Sequence, residues 1–230
     1  MKTLGLIGGM SWESTILYYR GLNEGVRDRL GGLNSAELLL WSFNFKEIET
    51  LQASESWDKA TERMVDVARR LEDAGAEGLV ICTNTMHKMA GDILEAVKVP
   101  LIHIADATAN ALTKAQCTRP LLLATRYTME QDFYKGILTD NHGLEAVIPG
   151  KSARHAVQQI IYDELCQGIV EPHSKSMMLE IVEDCRNDNI DSVILGCTEI
   201  GMLVAQSDFD FPAIDSTLAH IDTALDFALS

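Results

Sequence analysis

The 230-residue sequence predicts an α/β fold of two pseudo-symmetric lobes, each a largely parallel sheet flanked by helices, with the active site between them. Three observations carry that expectation. Short, continuously apolar runs alternate with segments of helical period, the pattern of a parallel sheet covered on both faces. The pattern then repeats once: Gly8 matches Ala124 at an offset of 116 residues, Thr83 matches Cys197 at 114, and Pro100 matches Pro212 at 112. Finally, four apolar runs end in unusually polar residues, at 8–15, 82–87, 125–128 and 196–199, two in each half. Ligands of parallel sheets bind beyond the carboxyl ends of the strands, so these ends would line one cleft as symmetry mates.

In chain order, TLGLIGG reads as a buried strand closed by glycines. SWESTILYYRGLNEGVRDRL follows as a helix with Ser11 at its N-cap. AELLLWSFNF is a second strand, and Trp57 to Ala74 a helix stopped by Gly75. GLVICTNTM is a strand whose last residues turn polar, HKMAGDILEAV a short helix, and VPLIHIAD another strand. The second half restates the order: RPLLLATRYTMEQDFYKGIL follows TLGLIGGMSWESTILYYRGL, and NIDSVILGCTEI follows GAEGLVICTNTM. A closing helix at about 216–229 is expected to pack back on the first half. The expected lobes are 1–105 with 213–230, and 106–212.

Composition narrows the function classes. With 47% hydrophobic and 23% charged residues the chain can bury a core and is not disordered. A formal net charge of -15 argues against nucleic acid or an anionic membrane as partner and leaves a small molecule. The five cysteines are odd in number and show no C-x-x-C spacing, which fits a reducing compartment. Trp12 and Glu13 interrupt the opening apolar run, and no run approaches the length of a membrane span, so the expected location is the cytoplasm.

The polar strand ends carry the candidate chemistry. Gly8-Gly9 lacks the G-x-G-x-x-G spacing of a dinucleotide turn, and no P-loop motif occurs. A tight turn there would expose backbone N–H groups and Ser11 at a helix start, where a carboxylate can be held. Side-chain alternation turns Cys82 toward the packed side of its strand and leaves Thr83 to face the cleft; Cys197 takes the matching place in the second half. Followed by Thr198 and Glu199 at a helix start, Cys197 is expected to have a stabilised thiolate and a lowered pKa. Cys117, Cys166 and Cys185 read as structural. His87 and His220 fit an orienting role or a satisfied helix-start histidine equally. No close His/Cys/Asp cluster suggests a metal.

GLIGGMSWEST at 5–15, CTNTMH at 82–87, ATRYTMEQDFY at 124–134, LGCTEI at 195–200 and FPAIDSTLAH at 211–220 together resemble the aspartate/glutamate racemase family. The resemblance spans essentially the whole chain. It implies racemisation of acidic amino acids without pyridoxal phosphate or metal, an interlobe site, commonly a homodimer, and two facing cysteines that exchange the α-proton on opposite faces of the substrate. One of those cysteines carries over as Cys197; at the other position this chain has Thr83. The resemblance further implies that Asn84, Thr85, Thr125 and Thr198 hold the α-carboxylate and amino group. Met10, Ser11, Thr128 and Glu199 complete the expected substrate-binding set. Aspartate-specific relatives often place an arginine in the stretch matching WSFNFKEIE at 41–49, where this chain has only Lys46 as a cation. Alternatives left open are a racemase of other amino acids, a related decarboxylase or isomerase of small diacids, and a non-catalytic amino-acid-binding protein.

Overall fold

All five strand pairings are parallel, and they form two separate sheets, one ordered β2 (Leu38–Ser42), β1 (Leu4–Gly8), β3 (Gly78–Ile81), β4 (Leu101–Ile102) and one ordered β5 (Pro120–Leu123), β6 (Ser192–Leu195), β7 (Ala213–Asp215). The computed structural model describes residues 1–230, which divide into two units, Met1–His103 with His220–Ser230, and Ile104–Ala219. The first unit contains β1 (Leu4–Gly8), α1 (Trp12–Leu30), β2 (Leu38–Ser42), α2 (Phe45–Ala53), α3 (Trp57–Asp73), β3 (Gly78–Ile81), α4 (Ala90–Ala96) and β4 (Leu101–Ile102). The second contains α5 (Ile104–Lys114), β5 (Pro120–Leu123), α6 (Arg126–Glu130), α7 (Asp132–His142), α8 (Lys151–Gln159), α9 (Pro172–Asp184), β6 (Ser192–Leu195), α10 (Ile200–Leu203) and β7 (Ala213–Asp215). The closing helix α11 (Ser216–Leu229) begins in the second unit and contributes His220 onward to the first.

Strand register reproduces the internal repeat residue by residue. Leu6, Val80 and Ile102 are paired neighbours across the first sheet; Leu122, Ile194 and Ile214 are paired across the second. These triplets stand at the offsets of 116, 114 and 112 read from the sequence. Even β2 has a remnant: Val147 bridges Leu121 in parallel, and Leu122 N–H donates to its carbonyl at 2.8 Å.

Alternation along the strands sends neighbouring side chains into different layers of the first unit. Leu4, Leu6, Val80 and Cys82 pack with Tyr18, Leu22 and Val26 of α1 and Ile221, Ala224 and Leu225 of α11. Ile7, Leu79 and Ile81 pack on the other face against Met64, Val67 and Leu71 of α3. The second unit encloses one continuous core that includes Leu121, Leu122, Val193, Ile194, Tyr134 and Met178. Strands β1, β3 and β5 carry no polar side chain and are buried along their whole length because both faces are covered.

Several element boundaries differ from the sequence expectation. The second strand stops at Ser42, because Asn44 accepts from Lys46 N–H as the N-cap of α2, and Phe45 opens that helix. The residues HKM lie in a 3₁₀ turn, Thr85–Met89, before α4 begins at Ala90. Only Leu101–Ile102 of VPLIHIAD is strand, and Ile104 already starts α5. The expected helix after β5 breaks in two at the extended Gln131. No helix is long and apolar enough to cross a membrane.

Candidate active site

The first unit gathers its candidate residues on the adjoining ends of β1 and β3. Gly9 has a φ of 79°, and a Cβ there would lie 2.3 Å from both the nitrogen and the oxygen of Phe43. Only glycine fits, since positive φ and the close backbone approach exclude a side chain together. Gly9→Ala is therefore expected to destabilise the chain by about 3 kcal/mol, visible as a lower denaturation midpoint; an unchanged midpoint would contradict this reading of the turn.

Beyond Gly9 the chain passes Met10 and Ser11, both buried. Ser11 occupies the N-cap position of α1, as expected, but its side chain makes no capping hydrogen bond. Instead its carbonyl accepts from Thr15 Oγ1 at 2.9 Å, while Gly9 N–H donates to that same hydroxyl at 2.8 Å. The Ser14 hydroxyl lies 3.0 Å from the Ser11 carbonyl and 3.3 Å from the Cys82 carbonyl, and ties the two turns together. The sequence motif contained Ser14 and Thr15 without indicating these bracing roles.

Cys82 is fully buried, and burial pushes its thiol far up, so it is inert packing. Thr83 is the first residue of β3's turn to be partly exposed, while Asn84 and Thr85 are buried beside it. Thr83 N–H donates to the Ile81 carbonyl at 2.9 Å, and its own carbonyl meets His87 Nδ1 at 2.8 Å.

The second unit gathers the matching set at the ends of β5 and β6, where Gly196 N–H donates to the Leu123 carbonyl at 2.7 Å. Thr125 caps α6, accepting from Thr128 N–H at 3.4 Å, and the two hydroxyls lie 3.2 Å apart. Cys197 is 8% exposed. Its thiol donates to Glu199 Oε2 at 3.0 Å, and Thr198 Oγ1 donates to the same oxygen at 2.6 Å. Glu199 is thus engaged by its own neighbours in the turn.

The lowered Cys197 pKa expected from its place at a helix start is reversed. Burial above all, then the adjacent Glu199 carboxylate and Cys166, push the thiol well above its ordinary value. The following helix, α10, has only four residues and supplies little dipole to offset these effects. Cys166, read from sequence as structural, therefore lies within electrostatic reach of Cys197.

The sequence reading places the start of α11 at about residue 216, as observed, but leaves out the contacts made there by Asp215 and Ser216. Ser216 Oγ donates to the Leu195 carbonyl at 2.9 Å, two residues before Cys197. Asp215 Oδ1 accepts from the backbone N–H groups of Thr217 and Leu218. A Cβ on Gly201 would come within 2.5 Å of Asp215 Oδ2, so the first turn of α10 rests on this carboxyl. The signal was present in IDST, an N-cap pattern before an apolar helix.

His220 is buried, with Nδ1 2.7 Å from the Tyr18 hydroxyl and Nε2 2.8 Å from the Ile102 carbonyl. Burial first of all lowers its pKa from 6.5 to about 4, against the pull of the Ile102 carbonyl. The unfolded chain therefore binds the extra proton more readily between those values. Stability from this site is complete above about pH 6.5 and declines as pH falls toward 4, by about 3 kcal/mol in all. Denaturant unfolding across that window should show the slope, and His220→Gln should flatten it; equal slopes would show that His220 is not the source of the pH dependence.

Over residues 7–224 the chain matches the family described as Asp/Glu/Hydantoin racemase. It is similar, at 48% identity and a TM-score of 0.92, to the crystal structure of a protein assigned as an Asp/Glu racemase from Yersinia pestis, with 100% of both chains covered. An aspartate racemase homologue from Pyrococcus horikoshii OT3 matches at 34% identity and a TM-score of 0.86, again over 100% of both chains. The broad specificity amino-acid racemase RacX of Bacillus subtilis (strain 168) is 24% identical over 164 residues, 70% of this chain and 68% of the relative. The chain belongs to the Asp/Glu/hydantoin racemase family, and is an isomerase of the cofactor-independent racemase class.

Proposed function

We propose that the chain racemises acidic amino acids, L/D-glutamate or L/D-aspartate, by proton transfer at two faces of Cα, with Cys197 as acid/base and Thr83 acting opposite it. The observation that carries this reading is the buried Cys197–Glu199 contact at the end of β6, at the repeat position that Thr83 holds at the end of β3. Inversion of a stereocentre needs a base on one face and an acid on the other.

The Cys197–Glu199 pair carries one negative charge whether the proton sits on sulfur or on oxygen. Passing the thiol proton to Glu199 moves that charge without adding to it, which makes a thiolate accessible despite burial. The thiolate then takes the α-proton of the L-enantiomer; the Thr83 hydroxyl gives its proton to the other face of the carbanion as water reprotonates the Thr83 oxygen, and the proton gained by Cys197 returns to solvent. Asn84, Thr85, Thr125 and Thr198 hold the α-carboxylate and amino group, with Met10, Ser11 and Thr128 completing the pocket. Hydrogen-bond donors on the α-carboxylate stabilise the carbanion-like charge as it develops. Glu199 serves Cys197 in this scheme, so its place is beside the thiol and not on the substrate. The functional form is a cytoplasmic homodimer, which light scattering after size-exclusion chromatography checks.

Racemisation of other amino acids is the second reading. It is favoured by the lack of arginine in residues 41–49 and by the broad-specificity relative. Chiral chromatography of a panel separates the two: aspartate, glutamate, neutral amino acids, and diacids without an amino group. Turnover confined to aspartate and glutamate supports the proposal. Faster inversion of neutral substrates, or conversion of diacids alone, overturns it.

A further inference from the structure

Three imidazoles and a phenol cluster in the first unit, and the proposed proton transfer uses none of them. His87 and His103 have ring centroids 4.6 Å apart at 63°, and His87 and His220 lie 5.6 Å apart at 66°. Tyr18 stands edge-on to His220 at 5.5 Å. His87, His220 and Tyr18 are buried, and His103 at the end of β4 is half-buried.

Hydrogen-bond chemistry fixes the tautomer of His220. A carbonyl oxygen only accepts, so His220 carries its proton on Nε2, facing Ile102, and Nδ1 accepts from the Tyr18 hydroxyl. His87 meets two carbonyls, that of Thr83 at 2.8 Å from Nδ1 and that of Ile102, and a neutral ring has one N–H to donate between them. Each of these imidazoles therefore spends an N–H on the backbone at the end of one strand, β3 or β4. The titratable groups that face His87 are His103 and His220; the Lys88 ammonium lies over the Trp57 ring, 5.2 Å from its centroid. Burial, then these two imidazoles, hold His87 well below its ordinary pKa, although the Thr83 and Ile102 carbonyls favour its protonated form. It is a neutral donor.

We infer that His87 is a positioning residue for Thr83: its Nδ1–H, backed by the rings of His103 and His220, fixes the turn from which the Thr83 hydroxyl protonates the substrate. This rests on the reading of Thr83 as the group opposite Cys197. It goes beyond that reading by assigning a separate residue to the opposite face, one that touches no substrate.

Two substitutions isolate the hydrogen bond. The amide nitrogen of Asn can occupy the place of Nδ1, whereas that of Gln reaches the place of Nε2. Both are polar, so a merely structural need for a buried polar group would not separate them. With L-glutamate in D₂O, the readout is the ratio of D-product formed to α-proton exchanged on the L-substrate, since exchange requires Cys197 alone. His87→Asn should keep that ratio within about threefold, and His87→Gln should lower it by about 10²-fold, the loss typical of a displaced reacting group. Equal ratios in the two variants, or an unchanged ratio in the Gln variant, would overturn the inference.

Nitrogen-15 spectra of the unmodified chain give an answer independent of whether the variants fold. A proton on Nδ1 of His87 is required, and a proton on Nε2 alone refutes the assignment. Absence of both exchange and inversion in the unmodified chain would strike the racemase reading, while the tautomer would still decide the His87–Thr83 bond.

Discussion

Cys197→Ser is expected to abolish turnover, lowering both α-proton exchange and D-product formation from L-glutamate or L-aspartate by about 10³-fold or more. Serine keeps the size and the hydrogen bond to Glu199 but replaces a group that can ionise with one whose alkoxide is out of reach near neutral pH. The cost of burying a negative charge, which already pushes the cysteine thiol up, would be far greater for an alkoxide. The site should remain formed, because the Thr198 hydroxyl still donates to Glu199 and Ser216 still braces the Leu195 carbonyl. Substrate binding measured by calorimetry should thus survive while chemistry is lost. Residual activity above about a tenth of the original would remove Cys197 from the acid/base role.

Thr83→Cys is expected to act in the opposite direction, raising inversion by about 10²-fold, within the range a matched acid/base contributes. Thr83 can donate a proton but regenerates poorly as a base, so the D-to-L path is burdened at its first step. Enantiomers have equal free energy in solution, so the gain in kcat/KM must be the same in both directions. What should change unequally is kcat and KM separately, with the larger kcat gain for the D-substrate. The partial exposure of Thr83 leaves room for sulfur, whereas Cys82 one residue earlier is locked in the core. A folded Thr83→Cys variant with no gain would show that the base at this face was not what limited turnover.

Most of the fold was legible because it is dictated by pattern. Fully covered parallel strands must be apolar on both faces, and the duplicated order of strands, glycines and prolines located the repeat that the register reproduces. Short-range competition was harder to read. Phe45, an apolar residue after an apolar strand, starts a helix only because Asn44 caps it. Ile104 looks like strand by composition but begins α5.

The polar strand ends were visible as candidate site residues, since threonines, asparagine and serine interrupt apolar runs where ligands bind in such sheets. The state of Cys197 was not. A helix start argues for a low thiol pKa, but how deeply sulfur is buried and which oxygen of Glu199 it meets are tertiary facts. The same holds for His87 and His220, which lie 133 residues apart in sequence, their rings 5.6 Å apart in the fold.

In the proposed reaction Cys197 exchanges the α-proton of an acidic amino acid, and inversion is completed at Thr83. Proton NMR of the chain with L-glutamate and L-aspartate in D₂O, paired with chiral chromatography of the same samples and with Cys197→Ser alongside, tests it most directly. The expected result is loss of the α-proton signal with D-enantiomer formation, absent in the variant. Retention of the α-proton with both substrates, or exchange that persists without Cys197, would contradict it.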